Sequence, residues 1–195
     1  MNGRKLKSLI IALFLLISSL SFPVFAQSLA DKIKQLPTSE HFHLKYDKFK
    51  DISTLIYQLP AQHNSFNLEI FGAAIFTGED KINNPVFYLF VRSRSNSWRF
   101  LRSHQLFILA DQQRLVFADG KHEGVINTNS YSRRVTVTEQ TTFLIDRDVI
   151  EKLGRSLNIE FSYSVITGKL INIQAILQDL QRLLPPVKVE KQDVD

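Results

Sequence analysis

Residues 135–145 alternate in character, and that alternation limits the fold more than any other stretch of the chain. Val135, Val137, Phe143 and Ile145 share one parity, and Thr136, Thr138, Gln140 and Thr142 share the other. A side-chain period of two belongs to an extended strand with one face in a core and one in water. Such a strand needs neighbours for its backbone and a second layer for its apolar face.

The residues before it supply the neighbours. Phe42, Leu44 and Tyr46 alternate with His41, His43, Lys45 and Asp47, which predicts a half-buried strand over 41–49. Ile52, Leu55, Ile56 and Leu59 fit helical spacing, but β-branched and aromatic residues dominate this segment, so 52–58 reads as a strand. Residues 66–77 alternate at first and become apolar on both parities across 70–76, and 86–91 is apolar on both as well, as in central strands buried from both sides. Ser95, Asn96 and Ser97 mark a turn, and 98–101 begins a return. Residues 105–110 and 114–118 pair around Asp111 and Gln112. Asp119 followed by Gly120 is a hairpin signal, because glycine tolerates the positive φ of a tight turn, and 122–127 is the expected partner strand. Residues 159–165 read as one more strand, ended by Thr167 and Gly168.

Helical chemistry frames that last strand. Residues 27–37 form a polar lead-in with helical character. Asp148 with Glu151 three residues on resembles a capping box, with Ile150 and Leu153 as its stripe and Gly154 near its end. Ile173, Ile176, Leu177, Leu180 and Leu183 follow helical spacing over 172–184, and Pro185 and Pro186 stop it. The expected class is α+β: a mostly antiparallel sheet of about seven to nine strands, a short helix, and a C-terminal amphipathic helix packed on one face. That helix has one apolar face, so the far side of the sheet should stay partly open. The expected divisions are a leader over 1–26, a lead-in over 27–40, one globular domain over 41–184 and a charged, disordered tail over 185–195.

The leader gives an address. Arg4, Lys5 and Lys7 precede an apolar run from Leu9 to Ile17, and Val24 and Ala26 are small residues at the −3 and −1 positions of a cleavage site. The cut falls between Ala26 and Gln27. The run is shorter than the roughly 20 residues a membrane span requires. Position 27 is Gln, not the cysteine of a lipoprotein, so a soluble exported protein is expected, periplasmic or secreted, with no transmembrane span after processing. The leader holds three of the 24 Lys and Arg residues and no Asp or Glu, so the formal +5 becomes 21 against 19, a net +2. That balance gives nucleic-acid binding no support.

Several chemistries are excluded by residue type or spacing. The chain has no cysteine, which removes thiolate metal sites and cysteine nucleophiles. His122 and Glu123 begin a metalloprotease motif, but Ile126 stands where its second histidine belongs. His41 and His43 share a strand face without a third ligand, beside Lys45, so no metal is expected. Gly120-Lys121 and Gly168-Lys169 lack the preceding glycine and the following Ser or Thr of a phosphate loop. There is no G-x-S-x-G elbow. No cofactor is implied.

Two features carry candidate chemistry. Glu139 lies on the apolar parity of its strand, so its carboxylate faces the core and needs a partner. It is either a general acid or base with a raised pKa, or a structural group paired with Arg134 or Arg147, or set at a β-bulge. Trp98, the only tryptophan, stands among Arg92, Arg94, Arg99 and Arg102. An aromatic platform ringed by guanidiniums can stack on a sugar and pair with an anion. The alternative is a tryptophan plugging a sheet edge beside solvated arginines.

Tyr46-Asp47-Lys48-Phe49-Lys50-Asp51, Ser97-Trp98-Arg99-Phe100-Leu101, a short hairpin, Glu139 in the long strand and the closing helix–strand–helix together resemble uncharacterised exported bacterial α+β domains. The resemblance covers most of 41–184. It implies a fold class and a strand over 52–58, and no activity, cofactor or catalytic residue.

The function expected is that of an exported non-catalytic domain binding a macromolecule or envelope component, with an anionic glycan or a protein as its partner and no nucleic acid. Its binding surface is Trp98 with the nearby arginines, or the uncovered sheet face. One alternative is a small secreted hydrolase using Glu139 with His104 or His122. Another is an inhibitor or assembly partner that recruits its target along an exposed strand edge.

Overall fold

The twelve residues Arg134–Ile145 form one unbroken strand, β9, the alternation of which continues across both of its neighbours. It belongs to a computed structural model that describes residues 28–63, 68–98, 105–129 and 134–186. The leader, its cleavage site at Ala26 and Gln27, and the tail from 187 onward lie outside the described residues.

Eleven strands and three α-helices are present among the described residues. They are α1 (Leu29–Lys34), β1 (Phe42–Asp47), β2 (Ile52–Leu59), β3 (Ala61–His63), β4 (Leu68–Thr77), β5 (Val86–Ser95), β6 (Leu106–Ala110) and β7 (Gln113–Phe117). There follow β8 (Lys121–Asn129), β9, α2 (Arg147–Arg155), β10 (Ile159–Tyr163), β11 (Ile166–Leu170) and α3 (Ile173–Leu183). Two sheets result, both antiparallel: β1-β2-β4-β5-β9-β8 and β3-β11-β10-β6-β7.

The α+β class and the dominance of antiparallel sheet hold. The strand number is higher than the expected seven to nine, because there are two sheets, not one. Residues 159–170 are a hairpin, β10 and β11, turned at Ser164 with φ 55°. Serine gives no strong turn signal at a positive φ, so the reversal is hidden in the sequence. Asp119 and Gly120 do not close a hairpin. Asp119 does adopt a positive φ of 57°, but β7 pairs in the smaller sheet and β8 in the larger, so the dipeptide is a corner between layers. Helix α2 starts at Arg147, and the expected capping box does not form: Asp146 is the N-cap without a side-chain cap bond, and Glu151 instead meets Arg147 and Arg155. Trp98 has no regular structure, and residues 99–101 lie outside the described set.

One cluster of buried side chains joins both sheets and all three helices. Leu55, Tyr57, Leu89 and Phe143 enter it from the larger sheet, Ile108, Phe161 and Tyr163 from the smaller, and Ile173, Ile176, Leu177 and Leu180 from α3. Gly154 lets α2 approach α3, since a Cβ there would lie 3.1 Å from Gln181 Nε2 and 3.3 Å from Leu177 Cβ. The helices and the smaller sheet therefore lie on the same side of the larger sheet. Strands β4 and β5 are its central pair, as their apolar runs predict. Among the described residues no further layer of regular structure covers the outer face of this sheet, where Phe71 and Ala73 of β4 are nonetheless buried. Ile56, Tyr88 and Phe90 are half-buried, and Leu144 is 66% exposed.

Candidate functional site

Strand register decides what Glu139 meets. It stands opposite Ser93 of β5 and Gly124 of β8, facing inward, and is 3% exposed. The register runs without interruption on both sides, so there is no bulge at this point. Arg147 is not its partner, because that guanidinium donates to Glu151 at 3.3 Å and to the Pro185 carbonyl at 2.7 Å. The Arg134 side chain and His104 lie outside the described residues. Among the described residues, His122 is brought to Glu139, with Nε2 3.9 Å from Oε1. That is an ion-pair distance for a protonated imidazole and beyond a hydrogen bond.

The imidazole's other nitrogen, Nδ1, lies 3.0 Å from Thr141 Oγ1, and Thr141 shares a 2.5 Å hydrogen bond with the Tyr163 hydroxyl. A line of polar groups thus runs from β8 through β9 to β10 and ties one sheet to the other. Burial pushes the Tyr163 hydroxyl above its ordinary pKa; the Thr141 bond opposes this, and the Glu139 charge adds to it.

The tryptophan–arginine patch is divided by the sheet. Trp98 places its ring where a side chain on Gly124 would stand, on the inward parity of His122 and Glu139. Gly124 is needed for that close approach. Arg92 and Arg94 project from the opposite parity of β5, outward, so they do not ring Trp98. Arg99 and Arg102 lie outside the described residues.

What Arg92 and Arg94 do join is an aromatic stack on the outer face. Phe71 of β4 and Phe90 of β5 are a cross-strand pair with ring centroids 4.8 Å apart and planes 6° from parallel. The Arg92 guanidinium lies over Phe71 at 4.3 Å. Its Nε and Nη2 both donate to Gln140 Oε1, at 3.0 and 2.8 Å. Its Nη1 is 3.6 Å from Glu69, and Arg94 Nη1 reaches the same carboxylate at 3.5 Å. Two cations share one anion, which leaves a net positive charge. Burial and the like charge of Arg94 pull the Arg92 pKa below its ordinary value, and Glu69 opposes them. A groove of about 460 Å³ runs beside these groups, with Ile56, Leu59, Pro60 and Ile70 among its walls. Phe71, Phe90, Glu69 and Gln140 were not singled out from the sequence. The signal was there: read on to residue 95, the outward parity of β5 is Tyr88, Phe90, Arg92, Arg94.

A second groove, of about 700 Å³, crosses the outer face of the smaller sheet, with Phe107 and Arg114 in its lining. Neither groove touches Glu139 or His122. Among the described residues no three His, Asp or Glu side chains gather closely enough to hold a metal ion, and no helix is long and apolar enough to cross a membrane. In comparisons with known proteins, no family model, curated protein or solved structure matches the chain.

Proposed function

We propose that the chain is an exported, non-catalytic binding module that holds an anionic envelope component, specifically an acidic glycan, on the outer face of its larger sheet. The observation that carries this reading is the Phe71–Phe90 stack with Arg92 laid over it and Arg94 beside it, the two guanidiniums sharing the single carboxylate of Glu69. A guanidinium recognises a carboxylate or sulfate through paired hydrogen bonds. Phe71 is covered by Phe90 and Arg92, so the apolar face of a sugar ring would rest on the aliphatic walls, Ile56 and Pro60 among them. The leader supports an envelope or extracellular address.

Two other readings have less behind them. The hydrolase reading has its acid and its imidazole 3.9 Å apart, but both are held between the sheets and away from the two grooves. Recruitment of a protein along an edge strand has β1 and β8 of the larger sheet and β3 and β7 of the smaller as candidates, at the outer positions of their sheets.

Titration with polygalacturonate, with neutral dextran as control, tests the proposal. Polygalacturonate should bind and dextran should not, with affinity falling as salt rises. Arg94→Ala removes a half-exposed side chain and should weaken binding about tenfold, or roughly 1.4 kcal/mol. Equal affinity in the variant, or no preference for the acidic polymer, would contradict the assignment.

A further inference from the structure

We infer that Glu69 is a tethered stand-in for the ligand's own carboxylate: it fills the space between Arg92 and Arg94 until an acidic sugar displaces it, and it thereby limits the affinity of the site. This rests on the glycan-binding reading and deepens it, naming the side chain that regulates that face.

Register places Glu69 of β4, Arg92 of β5 and Gln140 of β9 side by side in one outward row. Arg92 is fixed from the Gln140 side. Its Nε and Nη2 share Gln140 Oε1 at 3.0 and 2.8 Å, and the guanidinium lies over the Phe71 ring at 4.3 Å. Those contacts orient the group without help from Glu69. What Arg92 turns towards Glu69 is Nη1. Arg94 turns its own Nη1 towards the other oxygen of the same carboxylate.

The Glu69 contacts are loose. Oε2 is 3.6 Å from Arg92 and Oε1 is 3.5 Å from Arg94. A charge-assisted hydrogen bond from guanidinium to carboxylate runs about 2.7–2.9 Å, and a carboxylate seated in one guanidinium fork accepts two of them. Glu69 instead divides its oxygens between two cations and lies beyond that distance from both. Its side chain is 46% exposed and that of Arg94 is 51% exposed, so this pair is open to water and weak.

Glu69 also lines the groove assigned to the sugar, with Arg92 and Arg94 beside it. An incoming carboxylate therefore meets two guanidiniums already facing one anion. It takes over by exchange: Glu69 swings into water, and the ligand's oxygens close on both arginines. A neutral sugar that pushed Glu69 aside would leave two like charges unpaired, so the same side chain holds the site against it. The opposite role, a strut that aligns the arginines, predicts the reverse on substitution, because removing a strut loosens both cations and weakens binding.

Calorimetric titration of the full processed chain with a short oligogalacturonate tests this, using Glu69→Gln, Arg94→Ala and the double variant. Glu69→Gln keeps the shape of a half-exposed side chain and should leave the melting temperature unchanged. Its affinity should rise about fivefold, the scale of two exposed ion pairs released. It should also fall more steeply with salt, since two guanidiniums then face the ligand with no carboxylate between them. In the Arg94→Ala background the same substitution should gain less, because one of the two masked cations is gone. A gain of equal size in both backgrounds would mean that Glu69 only repels the acidic sugar from a distance, and would overturn the inference. An unchanged affinity would overturn it too, and a loss would make Glu69 a strut. In each of these cases the wild type still binds and the glycan-binding reading stands. No binding by the wild type or by Glu69→Gln would remove that reading and this inference with it.

Discussion

Tyr57 lays its ring across Gly72 on the neighbouring strand, where any side chain would collide with it. Its hydroxyl ends in the core without a hydrogen-bond partner. A buried hydroxyl left unmatched costs about 1–3 kcal/mol, so Tyr57→Phe should stabilise the chain by about 1 kcal/mol in urea unfolding. The same burial pushes the Tyr57 hydroxyl well above its ordinary value of 10.0. The sign follows from linkage. Below pH 10 the phenol is neutral in both states and stability is intact. Above it the unfolded chain ionises first, so stability falls as pH rises towards the folded-state pKa. Tyr57→Phe should flatten that alkaline loss, and an unchanged slope would mean that folding does not hinder ionisation of this hydroxyl. Glu139 shows what a single residue's parity can reveal. Its burial was legible from its position in an alternating strand, and His122 was one of the two histidines named beside it; the choice of His122 was not legible, because strand register alone sets Gly124 opposite Glu139 and Thr141 opposite His122. Arg92 and Arg94 misled for the opposite reason: they are close to Trp98 in sequence and on the other side of the sheet in space.

Helix α3 carries a polar anchor within its buried stripe. Asp179 is 2% exposed; Oδ2 accepts from Thr38 N at 3.2 Å and Thr38 Oγ1 at 2.7 Å, and Oδ1 accepts from Arg182 at 2.7 Å. It fastens the segment entering β1 to the last helix. Hydrogen bonds to a charged group contribute about 1.5–3 kcal/mol, so Asp179→Ala should cost about 2–3 kcal/mol in denaturant unfolding. A loss below about 0.5 kcal/mol, the size of an ordinary surface change, would remove that role. Elements with strong periodicity were legible, among them β1, β9 and α3, whereas β2 and β4 were read from their composition. Those set by tertiary pairing were not. Asp119 and Gly120 carry the same local chemistry whether the chain doubles back or crosses to the other sheet. The β10–β11 turn at Ser164 has no residue that announces it.

Two sheets with a shared core leave two outer faces, and each carries a guanidinium laid on an aromatic ring. The half-open sheet was foreseeable from a single amphipathic helix; the second sheet that fills the inner side was not. Function then depends on which surface meets a ligand: an outer face, or the polar line from His122 to Tyr163 inside. Backbone amide chemical shifts followed during a polygalacturonate titration decide between them. The largest changes should fall at Glu69, Phe71, Phe90, Arg92, Arg94 and Gln140, whether or not the smaller sheet also responds. Changes confined to His122, Glu139 and Thr141, or none at any of these positions, would contradict binding at the outer face.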